Sequence, residues 1–170
     1  MGCTVVSAQT GLRRDTVSVY FGSALSQVDS SFGGNAGVLD SLNALISRYS
    51  RRPGFSLSIK GTSSPDGTQK FNQWLSERRT ENFAEYIKAF DDTVSIGVDW
   101  EGLERDILEY GPFPGSEQVL DIVRNTPLQI IEDGKIVGSR KKSLMDLRGG
   151  RVFNYMMEHI FPLQRRVEVI

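Results

Sequence analysis

Arg79 is the residue of this sequence whose type and position most need a chemical explanation. It lies four residues after Leu75 and four before Phe83, so a helix would place it on their apolar stripe. Because an unpaired buried charge costs several kcal/mol, its guanidinium must meet a carboxylate or extend toward a site. Asn72 and Ser76 lie on an adjoining strip of the helix. A guanidinium can donate two parallel hydrogen bonds to one carboxylate, which makes carboxylate recognition the favoured chemistry.

The loop that precedes this helix is the predicted place of that chemistry. Residues 62–68 contain Ser64-Pro65-Asp66-Gly67, whose proline and glycine favour a turn between a strand and the helix. The free N–H groups and the dipole at a helix start favour anions. Two explanations of Arg79 remain open. It pairs internally, for example with Glu168 or Asp66, or it binds a ligand carboxylate at this corner.

Alternating and helical apolar patterns predict the elements that position this corner. Strands are expected around Val17–Phe21, Phe55–Ile59, Val94–Trp100 and Arg165–Ile170. A helix with apolar residues at positions 38, 39, 42, 45, 46 and 49 follows Gly33-Gly34, with Asn35 as its expected cap. A second helix runs from about 71 to 90, with residues 75, 83, 86, 87 and 90 on one stripe. Helical crossovers between successive strands imply parallel pairing and a sheet covered by helices, which is an α/β fold.

The domain organisation follows from the same patterns. Residues 1–16 lack apolar periodicity and are predicted to form a tail or linker, and residues 17–170 are expected to form one domain. Within it, residues 101–163 are interpreted as a helical insert with helices at 103–110 and 116–125 and around Lys142 and Tyr155. Asp133-Gly134, between two pairs of apolar residues, could instead turn a small hairpin.

Composition excludes several classes of function. A net charge of −1 argues against nucleic acid as a partner, and the basic run Arg140–Lys142 is interpreted as a solvated helix face. No apolar run is long enough for a membrane span. One cysteine, Cys3, and one histidine, His159, leave no internal disulfide and no zinc set, so no metal or cofactor is expected. No nucleophile–base motif is recognisable, and the chain is predicted not to be an enzyme.

Three segments together resemble the OmpA-like family of peptidoglycan-binding domains. These are the loop Gly61-Thr62-Ser63-Ser64-Pro65-Asp66-Gly67, the helix opening Asn72-Gln73-Trp74-Leu75-Ser76-Glu77-Arg78-Arg79, and the terminal Arg165-Arg166-Val167-Glu168-Val169. The resemblance covers about residues 17–100 and 164–170. It implies a β-α-β-α-β order closed by a final strand, in a mixed four-stranded sheet covered by helices. The size of the insert and the Ser-Pro loop look like OmpA-like proteins of Bacteroidetes.

The resemblance also implies a ligand. In that family a loop aspartate and the helix arginine hold the ammonium and the carboxylate of diaminopimelate in the peptidoglycan stem peptide. Arg79 matches the arginine, and Ser64 occupies the aspartate position. Asp66 would supply the charge if the Pro65 turn swings it inward. The predicted ligand-binding set is Ser63, Ser64, Asp66, Asn72, Ser76 and Arg79.

The implied role is that of a periplasmic, non-catalytic domain that tethers the outer membrane to peptidoglycan. The alternative is an interaction module that kept the fold and docks an envelope or surface-appendage protein through the insert. Gly2-Cys3 would also suit the acylated start of a lipoprotein, which makes Cys3 a lipidation candidate beside the ordinary explanation of an N-terminal tail.

Overall fold

The computed structural model describes residues 15–170, and Cys3 lies outside the described residues. Its strands are β1 Val17–Tyr20, β2 Ser58–Ser63, β3 Asp92–Val98, β4 Ile130–Glu132, β5 Lys135–Gly138 and β6 Arg166–Val169. Its helices are α1 Asn35–Tyr49, α2 Gln69–Ile87, α3 Trp100–Tyr110, α4 Ser116–Asn125, α5 Arg140–Asp146, α6 Arg151–His159 and α7 Phe161–Gln164. The predicted α/β fold with a helical insert before the last strand is confirmed.

A mixed four-stranded sheet in the order β1-β6-β2-β3 forms the centre of the fold. The last strand, β6, lies between β1 and β2 and is antiparallel to both, whereas β2 and β3 are parallel. Alternate residues of these strands form one core with α1 and α2, which includes Val19, Ile59, Val167, Leu42 and Phe83. The parallel crossover expected from the strand and helix order therefore holds for β2-α2-β3.

The insert has a hydrophobic core of its own. Buried side chains of α3, α4, α5, α6 and α7 pack together, among them Leu103, Val119, Leu144, Met156 and Phe161. Between α4 and α5 lies the hairpin β4–β5, which the sequence offered as an alternative to helix. Asp133 and Gly134 have φ of 48° and 74°, as a tight two-residue hairpin turn requires.

Five charged residues join the insert to the other face of the sheet, and we call them the Arg166 network. On the sheet, Lys60 Nζ lies 3.2 Å from Glu168 Oε2, and Arg166 Nη2 lies 2.7 Å from Glu168 Oε1. From the insert side, Asp99 Oδ2 lies 2.5 Å from Lys60 Nζ, and Asp106 Oδ2 lies 2.7 Å from Arg166 Nη1. Paired charges of both signs thus attach α3 to β2 and β6.

Three local predictions were wrong. Asn35 does not cap α1: Gly34 is the N-cap residue, and the buried Asn35 amide bonds the backbone of Tyr20 and the carbonyl of Asp29. Tyr86 is 48% exposed and so does not join the buried stripe of α2. Phe90 is exposed and lies beyond α2, because the helix ends at Ile87.

The strand limits also differ from those expected. The second strand begins at Ser58 rather than Phe55, and the Leu57 N–H donates to Asp91 Oδ2 at 2.7 Å. The third strand ends at Val98 because Asp99 accepts a hydrogen bond from the Gly102 N–H at 2.9 Å and so begins α3 at Trp100.

Candidate functional site

The predicted corner forms where β2 ends and α2 begins. Thr68 caps α2 by accepting a hydrogen bond from the Phe71 N–H at 3.2 Å. Gly61 lets the helix lie directly against the strand, because a Cβ atom there would stand 2.0 Å from Thr80 Oγ1 and 2.6 Å from the Ser76 carbonyl oxygen. The close approach of α2 to β2 therefore depends on a glycine at the first position of the loop motif.

Arg79 lies at the centre of this corner and is fully buried, with 0% of its surface exposed. Its Nε donates to the Leu25 carbonyl at 2.9 Å, Nη1 to the Thr62 carbonyl at 2.9 Å, and Nη2 to the Gly22 carbonyl at 3.2 Å. The guanidinium also lies 5.2 Å from the centre of the Phe21 ring. Three carbonyl oxygens thus hold a buried cation.

Neither of the internal carboxylates considered as partners forms an ion pair with Arg79. Glu168 pairs with Lys60, Arg105 and Arg166, and Asp66 pairs with Arg165. Over residues 15–170, no carboxylate lies within ion-pair distance of the Arg79 guanidinium. Burial lowers the pKa of Arg79 to about 10, the positive charge of Arg165 acts in the same direction, and Asp66 partly offsets both. The side chain therefore stays charged at neutral pH without a direct counterion among the described residues.

Ser64, Asp66 and Arg165 form a polar group beside Arg79. The Ser64 hydroxyl donates to the Asp66 carboxylate, so this carboxylate turns back toward the strand. Arg165 Nε donates to Ser64 Oγ at 3.1 Å, and Arg165 Nη2 lies 3.5 Å from Asp66 Oδ2. The corner thus brings a second arginine next to the predicted loop residues.

Lys141 of the insert completes the corner. Its Nζ donates to the carbonyl oxygens of Asp66 at 2.8 Å and Gly67 at 2.6 Å. Burial lowers the pKa of Lys141, and the charge of Asp66 partly opposes this. Two cations, Arg165 and Lys141, therefore contact the loop that carries Asp66.

The sequence suggested that the basic run around Lys141 is a solvated helix face, and this prediction was wrong. Arg140 Nε donates to the Thr126 carbonyl at 2.8 Å, and its guanidinium lies 5.1 Å from the Trp100 ring centre. Only Lys142, in an exposed pair with Asp146 at 2.8 Å, fits that interpretation. Helical spacing identified the run but could not show which neighbour each side chain meets.

Ser63, Asn72 and Ser76 are directed into the protein rather than toward Arg79. Ser63 Oγ lies 2.9 Å from the Asn72 carbonyl and 3.1 Å from the Gly97 carbonyl. Ser76 Oγ accepts from the Gly97 N–H at 3.0 Å, and Asn72 Nδ2 donates to the Gly67 carbonyl at 3.3 Å. These three residues join β2, α2 and β3 and so position the loop, while Ser64, Asp66 and Arg79 share the corner.

Sequence reasoning missed Arg165 and Lys141 as members of the corner. Arg165 lies 101 positions from Ser64, and Lys141 lies 75 positions from Asp66, so no local spacing relates them. A weak signal was present in Arg165-Arg166, because consecutive residues of an extended chain point to opposite faces of a sheet. Arg166 joins the network on one face, and Arg165 reaches the corner.

The described part of the chain has neither a cluster of metal ligands nor a membrane-spanning helix. Among residues 15–170, no group of three or more His, Cys, Asp or Glu side chains is arranged to hold a metal ion. Within those residues, no helix combines the length and apolar character needed to cross a membrane.

Comparison with known proteins gives likenesses among solved structures only. No family model matches the sequence, and no curated protein does. Among solved structures, the chain is similar to the OmpA-like domain of FopA1 from Francisella tularensis subsp. tularensis SCHU S4. The two are 15% identical, the match covers 91% of this chain and 69% of that chain, and the TM-score is 0.43.

Proposed function

We propose that this chain is a non-catalytic periplasmic domain that binds the peptide stem of peptidoglycan and so tethers the outer membrane to the cell wall. The observation that carries the proposal is the state of Arg79: a buried, charged guanidinium with three carbonyl partners and no carboxylate within ion-pair distance in residues 15–170. It stands at the loop and helix whose sequence resembles the OmpA-like signature. A ligand carboxylate supplies the counterion that residues 15–170 do not place there.

The hydrogen bonds of Arg79 leave donors suited to such a ligand. A guanidinium has five N–H groups, and contacts with residues 15–170 use one on each of its three nitrogens. One N–H therefore remains on Nη1 and one on Nη2. These two terminal nitrogens are the pair that a carboxylate engages through two parallel bonds.

Access to Arg79 runs through the segment that covers it, residues 22–25. This segment supplies two of the three carbonyl partners, and it contains Ala24 at φ of 56°, a conformation unfavourable for a residue with a side chain. The side chain of Leu25 is 60% exposed, so the segment carries little buried apolar surface on its outer side. Binding in this proposal includes a shift of residues 22–25 that opens the guanidinium to the ligand.

The second half of the proposed grip is Asp66. With Ser64 at the position of the family's loop aspartate, Asp66 is the carboxylate that the corner offers to the diaminopimelate ammonium. It is already partnered by Ser64 and Arg165, so the ammonium competes with or displaces Arg165. Asp66 stays partly exposed, with 23% of its side chain accessible.

Co-sedimentation with purified peptidoglycan sacculi tests the proposal. Arg79→Ala and Arg79→Lys are expected to lose retention by about tenfold or more, because lysine keeps the charge but cannot form the two-bond fork. Arg78→Ala is the matched control: Arg78 is next in sequence, exposed, and paired with Glu81 at 2.8 Å. Thermal unfolding checks that each variant is folded. Retention of folded Arg79→Lys at the level of the unaltered chain contradicts the proposal.

The insert favours a second candidate function, docking of an envelope or surface-appendage protein. Its separate core is accompanied by a hairpin that exposes Ile131, Ile136 and Val137, and Leu128 just before the hairpin is also exposed. This is an unusual density of apolar side chains for a solvated segment. A photo-crosslinking amino acid at Ile131 is expected to capture a protein in the native envelope, while the same group at Tyr86 is not. Capture of muropeptides alone, from either position, contradicts this second function.

A further inference from the structure

A cavity of about 690 Å³ lies beside the corner, on the side of α2 that faces β3. Its floor is the first turn of α2, one wall is the end of β3, and the opposite wall is the β4–β5 hairpin with its flanking residues. Arg79 does not line it. The volume falls within the range of about 300–1,000 Å³ that is typical of ligand sites. The sequence resemblance does not account for this cavity, since the hairpin belongs to the insert.

The walls of the cavity carry apolar side chains that the fold leaves uncovered. Ile96 on β3 is 40% exposed, and Leu128 and Ile136 on the facing hairpin wall are 55% and 63% exposed. Val98 and Trp100 extend the β3 wall. Apolar groups that face each other across a recess lose contact with water when a ligand fills it, which favours an occupant with apolar side chains.

One wall also offers backbone hydrogen-bonding groups. β3 is the outermost strand in the order β1-β6-β2-β3, so within residues 15–170 its outer edge pairs with no other strand. Ile96, Gly97 and Val98 of this strand line the cavity. Gly97 itself is already bonded, because its N–H donates to Ser76 Oγ and its carbonyl accepts from Ser63 Oγ. A strand edge beside a recess accepts an extended peptide as an added strand through the N–H and C=O groups that have no such partner.

The one charged side chain of the cavity indicates which end of such a peptide would bind there. Among its lining residues in the described chain, Lys141 is the only ionisable side chain. Its ammonium uses two of three N–H groups on the carbonyls of Asp66 and Gly67, so one donor remains. The other polar side chains of the lining are amides and hydroxyls, including Gln73, Gln129 and Ser139. A single partly buried cation in an apolar recess is complementary to a single carboxylate.

We propose that this cavity binds the free C-terminal end of an extended apolar peptide from a partner protein. The peptide adds a strand to the edge of β3, its side chains contact Ile96, Leu128 and Ile136, and its terminal carboxylate accepts a hydrogen bond from Lys141. This site goes beyond peptidoglycan binding and gives the insert a defined partner chemistry. Four extended residues span roughly 13 Å, so a short tail is sufficient.

Fluorescence titration of the full chain with a dansyl-Gly-Val-Ile-Val peptide tests the proposal. The free acid is expected to bind, and its C-terminal amide at least about tenfold more weakly. Lys141→Met is expected to lose the same factor, while Lys142→Met, its exposed neighbour, keeps full affinity. Ile136→Glu is expected to abolish binding, whereas Val137→Glu, on the other face of the same strand, does not.

Two outcomes overturn the proposal. The first is no saturable binding of the free-acid peptide to the folded chain, and the second is equal affinity for acid and amide. If the first occurs while sodium decanoate binds, the cavity is assigned to a fatty acid. Sacculus retention of Ile136→Glu, a residue that lines the cavity and is not part of the corner, is measured in parallel. Because Arg79 does not line the cavity, loss of peptide binding with retention on sacculi separates this site from the peptidoglycan proposal.

Discussion

Removing the Asp106 carboxylate tests whether the Arg166 network holds the insert on the sheet. Burial lowers the pKa of Arg166, but the hydrogen bonds and charges of Asp106 and Glu168 outweigh this and raise it, so the guanidinium stays charged. Asp106→Ala removes an acceptor that lies 2.7 Å from Arg166 and also bonds the Gln164 amide. Breaking a buried pair in this way costs about 3–5 kcal/mol. Arg166 keeps its contacts with Glu168 and the Leu163 carbonyl in this variant. We therefore expect the free energy of unfolding to fall by about 3 kcal/mol.

Urea unfolding followed by circular dichroism measures this change, and calorimetry should show Tm lower by about 6–12 °C. The matched control is Asp146→Ala, which removes an exposed carboxylate from an i,i+4 pair with Lys142 and should cost less than about 0.5 kcal/mol. A loss below about 1 kcal/mol for Asp106→Ala, or equal losses for the two variants, would refute the role given to the network.

Three further predictions concern the loop, the sheet and acid stability. Asp66→Asn should reduce retention on sacculi about fivefold or more, because an amide cannot neutralise an ammonium, while Asp121→Asn on α4 should not; unchanged retention of Asp66→Asn refutes the role of Asp66. Gly61→Ala should destabilise the chain by about 1–3 kcal/mol in urea unfolding, because its Cβ would meet Thr80 and the Ser76 carbonyl. Gly37→Ala in α1 should not destabilise the chain, and equal stability of the two variants contradicts the close packing of α2 on β2. Burial alone would raise the pKa of Glu168, but Arg166 and Lys60 lower it below its usual value. Ionised Glu168 therefore stabilises the fold above about pH 4.5, and this contribution is lost as the pH falls further. Urea unfolding at about pH 6 and pH 3 should show this loss of stability. Glu168→Gln lacks the ionised carboxylate at both values, so its free energy of unfolding should depend less on pH, and the same pH dependence in both chains refutes the assignment.

The fold could be predicted from the sequence wherever a periodic apolar pattern agreed with the packing. As their spacing indicates, Val17 to Tyr20 form a strand, and Leu75 and Phe83 are buried on one face of α2. The pattern failed where a polar side chain had a distant partner. Asn35 follows two glycines, a position typical of a helix cap. Its side-chain amide instead forms hydrogen bonds with the backbone of Tyr20 in β1, because the chain folds back there.

The candidate site was only partly predictable for a related reason. Spacing places Arg79 on a buried face, but it cannot show that the partners are the carbonyls of residues 22, 25 and 62 rather than a carboxylate. The positions of Arg165 and Lys141 depend on how the last strand and the insert return to the loop. The cavity depends on the same long-range packing, because its two walls are contributed by β3 and by the hairpin of the insert.

Peptidoglycan binding through Arg79 is tested most sharply by observing its guanidinium while a stem peptide is added. Nuclear magnetic resonance of the arginine Nε–H groups, with a soluble diaminopimelate-containing tripeptide as titrant, reports on that side chain individually. We expect a saturable shift of the Arg79 signal that disappears when the tripeptide carboxylates are amidated, with the Arg78 signal unchanged. An Arg79 signal that stays constant at saturating tripeptide, or that shifts equally with the amidated peptide, contradicts it.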